Sequence, residues 1–91
     1  MPAGPRFSEA QLRWMARARI TDGRLPVTVR PIVCPRYGSE EVCQLCEQRI
    51  DRYHLEYGVT DARDGYELAF HIVCYRLWQL ECVADATSPI A

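Results

Sequence analysis

Cys43-Gln-Leu-Cys46 and His71-Ile-Val-Cys74 are the two stretches of this sequence that decide its fold. Each places two candidate metal ligands on either side of a two-residue spacer. Thiolate and imidazole groups at this spacing are typical of tetrahedral zinc sites, because a tight turn can aim both side chains at one point. The sequence therefore predicts one zinc ion held by Cys43, Cys46, His71 and Cys74. Four protein ligands leave no coordination position for water or substrate, so the predicted ion is structural.

The second pair of ligands is predicted to open a helix that covers about residues 71–83. Side chains three positions apart lie on the same helix face, so His71 and Cys74 can reach one metal ion. A helix N-terminus also favours the negative charge of a ligating thiolate. The face that this helix buries is marked by apolar residues at helical spacing: Phe70, Val73, Cys74, Leu77 and Trp78.

Between the two ligand pairs, the sequence alternates in the manner of a β-hairpin. From residue 53 to 59, apolar side chains occupy every second position: Tyr53, Leu55, Tyr57 and Val59. A turn at residues 61–65 is followed by a second alternating run at Tyr66, Leu68 and Phe70. The predicted hairpin has one apolar face and brings the two ligand pairs together. His54 and Glu56 fall on the opposite face, where we expect His54 to be exposed to solvent.

A further helix precedes the ligand pairs, and Ser8 and Gln11 have the spacing of a capping box at its start. Its buried face is marked by apolar residues at helical spacing: Leu12, Met15, Ala16 and Ile20. Asp22-Gly23 predicts its end. Residues 27–33 are predicted to be extended, and Pro31 restricts them to an edge strand or an irregular segment. Residues 34–41 are predicted to form a loop.

A chain of 91 residues has room for one folded domain and no second core. The predicted class is α+β: an N-terminal helix and extended segment at 7–39, and a zinc-binding unit of knuckle, hairpin and C-terminal helix at 40–83. Flexible ends are expected at residues 1–6 and 84–91. The five cysteines do not suit a closed disulfide framework, and the sequence shows no membrane-spanning run or secretory leader. We therefore expect a cytoplasmic protein that keeps its thiols reduced.

The order of knuckle, hairpin and ligand-bearing helix resembles that of treble-clef zinc fingers. Cys43-x2-Cys46 and His71-x2-Cys74 also resemble the first zinc site of a LIM domain. A LIM domain would begin a second ligand set directly after Cys74, and this sequence has Tyr-Arg-Leu-Trp there, so a single-site treble clef is the better match. The resemblance covers roughly residues 40–82. Together with the preceding helix, it is similar to small uncharacterised bacterial proteins, a resemblance that implies no activity.

Other interpretations of the cysteines remain open at this point. Cys43 and Cys46 could form a redox pair, although such motifs follow a buried strand and begin a helix at the first cysteine. The four residues could also be core side chains without a metal. Cys82 lies two helical turns beyond Cys74 and is predicted to be a packed thiol. Cys34 is predicted to be a free thiol in a loop, with substitution as a ligand as the alternative.

Trp14 lies outside the predicted apolar face of the first helix, between Arg13 and Arg17. An exposed tryptophan among arginines would suit a partner-binding surface, since both residue types are enriched at binding hot spots. The alternative is that Trp14 widens the buried face. Trp78 shares the stripe of Cys74 and is predicted to be a core residue.

The charge is unevenly distributed along the chain. Residues 1–38 carry seven arginines against two acidic residues, and residues 39–91 carry four arginines against ten. The leading hypothesis is a small domain with a structural zinc ion that acts as a protein-interaction or regulatory module. The alternative is nucleic-acid binding through the arginine-rich first helix. The excess of acidic residues at 39–91 and the pI of about 6.1 disfavour this alternative. Enzymatic activity is not expected, because His54 is the only spare histidine and no catalytic motif accompanies it.

Overall fold

The computed structural model describes residues 7–87, and the expectations for residues 1–6 and 88–91 lie outside this range. The element order is α1 (Glu9–Thr21), β1 (Val33–Tyr37), β2 (Leu55–Thr60), β3 (Glu67–His71) and α2 (Ile72–Thr87). The three strands form one antiparallel sheet in the order β1-β2-β3. The predicted α+β class is therefore confirmed. Within residues 7–87, neither helix is long and apolar enough to cross a membrane.

Helix α1 begins as the sequence predicts. The Gln11 backbone amide donates to Ser8 Oγ at 3.1 Å, and the Ser8 amide donates to Gln11 Oε1 at 2.8 Å, which completes the capping box. Two of the predicted apolar residues, Leu12 and Ala16, are fully buried in the core. Arg19 lies on the same buried face, which the apolar pattern did not predict.

Strand β1 lies later in the chain than predicted, because it includes Pro35 within the segment expected to be a loop. The Thr60 amide donates to the Ile32 carbonyl, and the Gly38 amide donates to the His54 carbonyl. The backbone groups of the even-numbered residues from 32 to 38 therefore hydrogen-bond to β2. The backbone nitrogen of Pro35 points the other way, towards the open edge of the sheet. A proline costs no hydrogen bond there, because β1 is an edge strand.

Strands β2 and β3 form the predicted hairpin, with Glu56 opposite His71 at one end and Thr60 opposite Glu67 at the other. Gly65 closes the turn with a φ of 81°, a conformation that glycine adopts without strain. The predicted division into faces is only partly correct. Leu55 on the predicted apolar face is half exposed, whereas Glu56 on the polar face is completely buried.

Helix α2 packs on the sheet through an aromatic core made of Tyr57, Phe70, Tyr75 and Trp78. The rings of Phe70 and Trp78 stack with centroids 4.9 Å apart, and those of Tyr57 and Tyr75 meet edge to face at 4.8 Å. Trp78 is fully buried, as predicted, and its Nε1 donates to the Pro26 carbonyl at 3.0 Å. The helix continues four residues past its predicted end, because Ala84 and Ala86 are strong helix formers.

Candidate metal centre

Residues 42–49, called the knuckle below, form a tight turn that presents the first ligand pair. Val42 and Arg49 pair as an antiparallel bridge at its base. Inside it, the Cys43 amide donates to the Gln48 carbonyl at 2.9 Å, and the Glu47 amide donates to the Cys43 carbonyl at 3.0 Å. These bonds fold the backbone back on itself, so Cys43 and Cys46 face the same interior point.

The knuckle is fastened to the rest of the fold on two sides. The Gln44 backbone amide donates to the Ala69 carbonyl at 2.9 Å, which attaches the turn to the outer edge of β3. On the opposite side, the chain entering the knuckle passes so close to Asp51 that a Cβ on Gly38 would collide with the Asp51 carbonyl. The position of the first ligand pair is therefore fixed by backbone contacts.

The second ligand pair lies at the junction of β3 and α2. His71 is the last residue of β3, so the prediction that it opens the helix is wrong by one residue. Its place opposite Glu56 in the sheet holds it in the strand. Cys74 lies in the first turn of α2, as predicted. The ligands therefore come from a strand end and a helix start, and the chain turns between them.

The four predicted ligands converge on one point in the structure. Their ligand atoms all lie within 4.8 Å of one another, and all four residues are buried. His71 Nδ1 is 3.3 Å from Cys46 Sγ and 4.0 Å from Cys74 Sγ. In tetrahedral zinc sites the ion lies about 2.3 Å from each thiolate sulfur and about 2.0–2.1 Å from an imidazole nitrogen. Neighbouring ligand atoms in such a site therefore lie roughly 3.5–3.8 Å apart. The arrangement fits one tetrahedrally bound metal ion.

The ligands strongly shift one another's pKa values. Hydrogen bonds with the sulfurs of Cys43 and Cys46 raise the pKa of His71 to about 10. Hydrogen bonds with Cys46 and Cys74 hold the pKa of the Cys43 thiol far below its usual range. Hydrogen bonds with Cys43 and Cys46 raise the pKa of the Cys74 thiol, because they favour its protonated form. The cluster therefore retains protons that a metal ion would displace, since metal binding requires thiolates and a neutral imidazole.

The remaining predicted residues fall outside this cluster. Within residues 7–87, the four ligands form the one group of three or more cysteine, histidine or acidic side chains that could hold a metal. Cys34 is an exposed thiol on β1, and Cys82 is a buried thiol whose Sγ lies 3.6 Å from the Pro26 carbonyl. Their predicted roles as a free thiol and a packed thiol are confirmed. His54 is exposed, also as predicted.

Trp14 lies on the surface, so the alternative that it widens the buried face of α1 is wrong. Its side chain is 71% exposed. It lines an open apolar groove of about 370 Å³, called the Trp14 groove below, with Phe7, Ala10, Gln11 and Met15. Arg13 and Arg17 extend instead towards α2, where both contact the buried carboxylate of Glu81, at 3.0 and 2.9 Å.

Two polar contacts around the metal centre were not predicted from the sequence. The buried carboxylate of Glu56 accepts from Arg36 at 2.8 and 2.9 Å and from the Ser39 amide at 2.7 Å. Arg19 donates to Glu47 at 2.7 Å. These partners lie 17 to 28 residues apart, so no local sequence pattern signals either pairing.

Comparison of the chain with protein-family models, with curated proteins and with solved structures found no match in any of the three. The functional assignment therefore rests on the Cys₃His cluster and on the surfaces around it.

Proposed function

We propose that this protein is a small domain stabilised by one structural zinc ion, which Cys43, Cys46, His71 and Cys74 bind. The observation that carries the proposal is the convergence of these four buried side chains, with their ligand atoms within 4.8 Å of one another. The cluster draws on three separate parts of the fold: the knuckle, the end of β3 and the start of α2. A metal ion there would link parts of the chain that lie up to 31 residues apart, from Cys43 to Cys74.

Zinc suits this ligand set better than magnesium or calcium does. Magnesium and calcium prefer oxygen ligands, and this cluster offers three sulfurs and one nitrogen. Four protein ligands complete a tetrahedron, so the ion would have no open position for a substrate or an activated water. The geometry therefore favours a structural metal, and we propose no catalytic role.

We further propose that the domain acts as a protein-interaction or regulatory module of the treble-clef type. The Trp14 groove supports this role, because an exposed tryptophan beside an apolar groove is the kind of anchor that binding hot spots use. The nucleic-acid alternative has weaker support. Arg13, Arg17 and Arg19 on α1 all engage acidic side chains of the same chain, which reduces the positive charge available to phosphates.

The metal assignment is tested by native mass spectrometry of the purified protein and of single cysteine variants. We expect one zinc ion per chain in the wild type and none in Cys74→Ser, because the variant replaces a thiolate ligand with a hydroxyl. Cys34→Ser is the matched control, since Cys34 is an exposed thiol outside the cluster, and it should retain the metal. A wild-type protein that folds without metal would contradict the proposal.

The interaction role is tested by affinity capture with Trp14→Ala. The side chain is largely exposed, so we expect the variant to keep its zinc and to change in stability by no more than about 0.5 kcal/mol. Proteins captured by the wild type should be depleted from the Trp14→Ala sample. Equal capture by both would exclude the Trp14 groove as the binding surface. Retention on heparin that weakens steeply with salt would favour the nucleic-acid alternative.

A further inference from the structure

Glu47 follows the ligand Cys46 directly and has a backbone conformation that only glycine adopts freely. Its φ is 61°, in the left-handed region. This conformation turns the chain after Cys46 and brings the Gln48 carbonyl back to the Cys43 amide, at 2.9 Å. An L-residue is disfavoured there by a factor of roughly ten relative to its right-handed form. A contact from outside the knuckle can add to the hydrogen bonds at Cys43 that favour this conformation of Glu47.

Arg19 supplies such a contact from α1. Its guanidinium Nη2 lies 2.7 Å from Glu47 Oε2, and only 10% of its side chain is exposed. Arg19 occupies the buried face of α1, beside Leu12 and Ala16, so the helix fixes its position. Arg24 also approaches Glu47, at 3.8 Å, but its side chain is 61% exposed and pairs with Asp22 as well. Arg19 is therefore the contact that can hold Glu47 in place.

We propose that Arg19 is a positioning residue of the metal centre: through its ion pair with Glu47, it holds the knuckle in the conformation that aims Cys46 at the metal. This inference rests on the proposed function, since it requires a metal ion at the four ligands. It also links two regions. Metal binding orders the knuckle, the ordered knuckle presents Glu47 to Arg19, and Arg19 fixes α1, the helix that carries the Trp14 groove.

A consequence is that metal affinity and the docking of α1 depend on each other. Linkage requires that if α1 docking strengthens metal binding, metal binding strengthens α1 docking by the same factor. The factor is set by the cost of the left-handed conformation that the ion pair offsets. We expect the loss of the pair to weaken zinc binding by about tenfold.

The test measures zinc affinity by chelator competition in the full chain, together with the visible absorption of the cobalt(II)-substituted protein. Arg19→Met should bind zinc about tenfold more weakly. Its cobalt ligand-field bands should also change in shape, because Cys46 is no longer held in one position. Arg24→Met is the matched control, since it removes an exposed arginine near the same carboxylate, and its affinity should stay within about twofold of the wild type.

Glu47→Gly separates positioning from general stabilisation. Glycine adopts the left-handed conformation without help, so adding Arg19→Met to Glu47→Gly should change zinc affinity by less than about twofold. If Arg19→Met lowers zinc affinity by the same factor in the wild type and in Glu47→Gly, the inference is overturned and Arg19 is a purely structural residue. Unchanged affinity in Arg19→Met would overturn it as well.

Glu47→Met keeps the test decisive if Arg19→Met fails to fold. Glu47 is mainly exposed, and methionine keeps the length of the side chain while removing both carboxylate oxygens. We expect this variant also to bind zinc about tenfold more weakly, and wild-type affinity would overturn the inference. A wild-type chain that binds neither zinc nor cobalt would overturn the proposed function itself, a result distinct from the failure of the Arg19 inference.

Discussion

The metal corner, made of the knuckle with His71 and Cys74, and the aromatic core meet at the junction between β3 and α2, where both belong to one buried core. Consecutive residues contribute to each: Phe70 stacks on Trp78, and His71 faces the knuckle sulfurs. The aromatic core is stabilised by ring packing and apolar burial. The metal corner has four polar ligands that are costly to bury without an ion. One short segment therefore supports two regions that respond to different perturbations.

This difference follows from the size of the domain. A chain of 91 residues buries too little apolar surface for a large margin of stability, and small domains often add a metal ion. The aromatic core packs one side of the sheet against α2. The side that carries His71 and Glu56 is held by charged and coordinating groups. Substitutions in the two regions should therefore have different effects on the free energy of unfolding and on metal content.

Outside the four ligands, the largest single-residue effect should come from Trp78→Ala, which removes the centre of the aromatic core. Losing a fully buried tryptophan should lower the free energy of unfolding by about 3–5 kcal/mol, measured by urea denaturation of the zinc-bound protein. The folded fraction should still hold one zinc ion per chain, because Trp78 is not one of the four ligands. Trp78→Phe is the control. It keeps an aromatic ring and loses the hydrogen bond to Pro26, a change of about 1 kcal/mol. Loss of zinc from folded Trp78→Ala would contradict this prediction and show that the metal site depends on the Trp78 ring.

A smaller effect is expected from Glu56→Gln on the opposite face of the sheet. The two oxygens of Glu56 accept from Arg36 and from Ser39, so either orientation of a glutamine amide places its NH₂ against a donor. We expect a loss of about 2–3 kcal/mol in unfolding free energy. Glu67→Gln is the matched control, because Glu67 bonds the same arginine at 2.6 Å but is half exposed, and it should cost less than about 1 kcal/mol. Equal losses in both variants would contradict the assigned role of Glu56.

The smallest effect concerns the hairpin turn, away from both regions. The Arg63 side chain hydrogen-bonds the buried Asp61 carboxylate and lowers its pKa below the ordinary 3.8. A lowered folded-state pKa stabilises the protein at pH values above the unfolded pKa, and this stability is lost as the pH falls through the folded pKa. Asp61→Asn should therefore cost about 1–2 kcal/mol at neutral pH, and the difference from the wild type should shrink as the pH falls towards about 4.

Asp64→Asn at the same turn is the control for Asp61, because Asp64 is exposed and accepts one hydrogen bond from the Tyr66 amide. We expect it to change the unfolding free energy by less than about 0.5 kcal/mol at every pH. Urea denaturation of the zinc-bound proteins, from neutral pH down to the lowest pH at which they keep the metal, gives both curves. Equal losses in Asp61→Asn and Asp64→Asn at neutral pH would contradict the assignment.

What could be predicted from the sequence was carried by short-range patterns. The ligand pairs, the capping box of Ser8 and Gln11, and the hairpin turn each involve residues a few positions apart, and the structure contains all three features. The position of β1 was missed, because whether Pro35 breaks a strand depends on which way its backbone faces, and only the pairing with β2 decides that.

Long-range ion pairs explain why two charged residues, Glu56 and Arg19, are buried although the sequence did not predict it. Glu56 alternates with apolar neighbours in the sequence and reads as a surface residue, yet Arg36, 20 residues away, makes its burial stable. The Arg19–Glu47 pair joins residues 28 positions apart and places a charge on the buried face of α1. Such pairings depend on how the elements dock, so residue periodicity within one element cannot reveal them.

The most direct test of the central claim is near-ultraviolet circular dichroism of the wild type during removal and return of zinc. If the ion is structural, chelation should abolish the aromatic signal and the cooperative thermal transition, and one equivalent of zinc should restore both, because the binding free energy is also folding free energy. A metal-free protein with the same aromatic spectrum and the same melting temperature as the zinc-bound form would contradict the account.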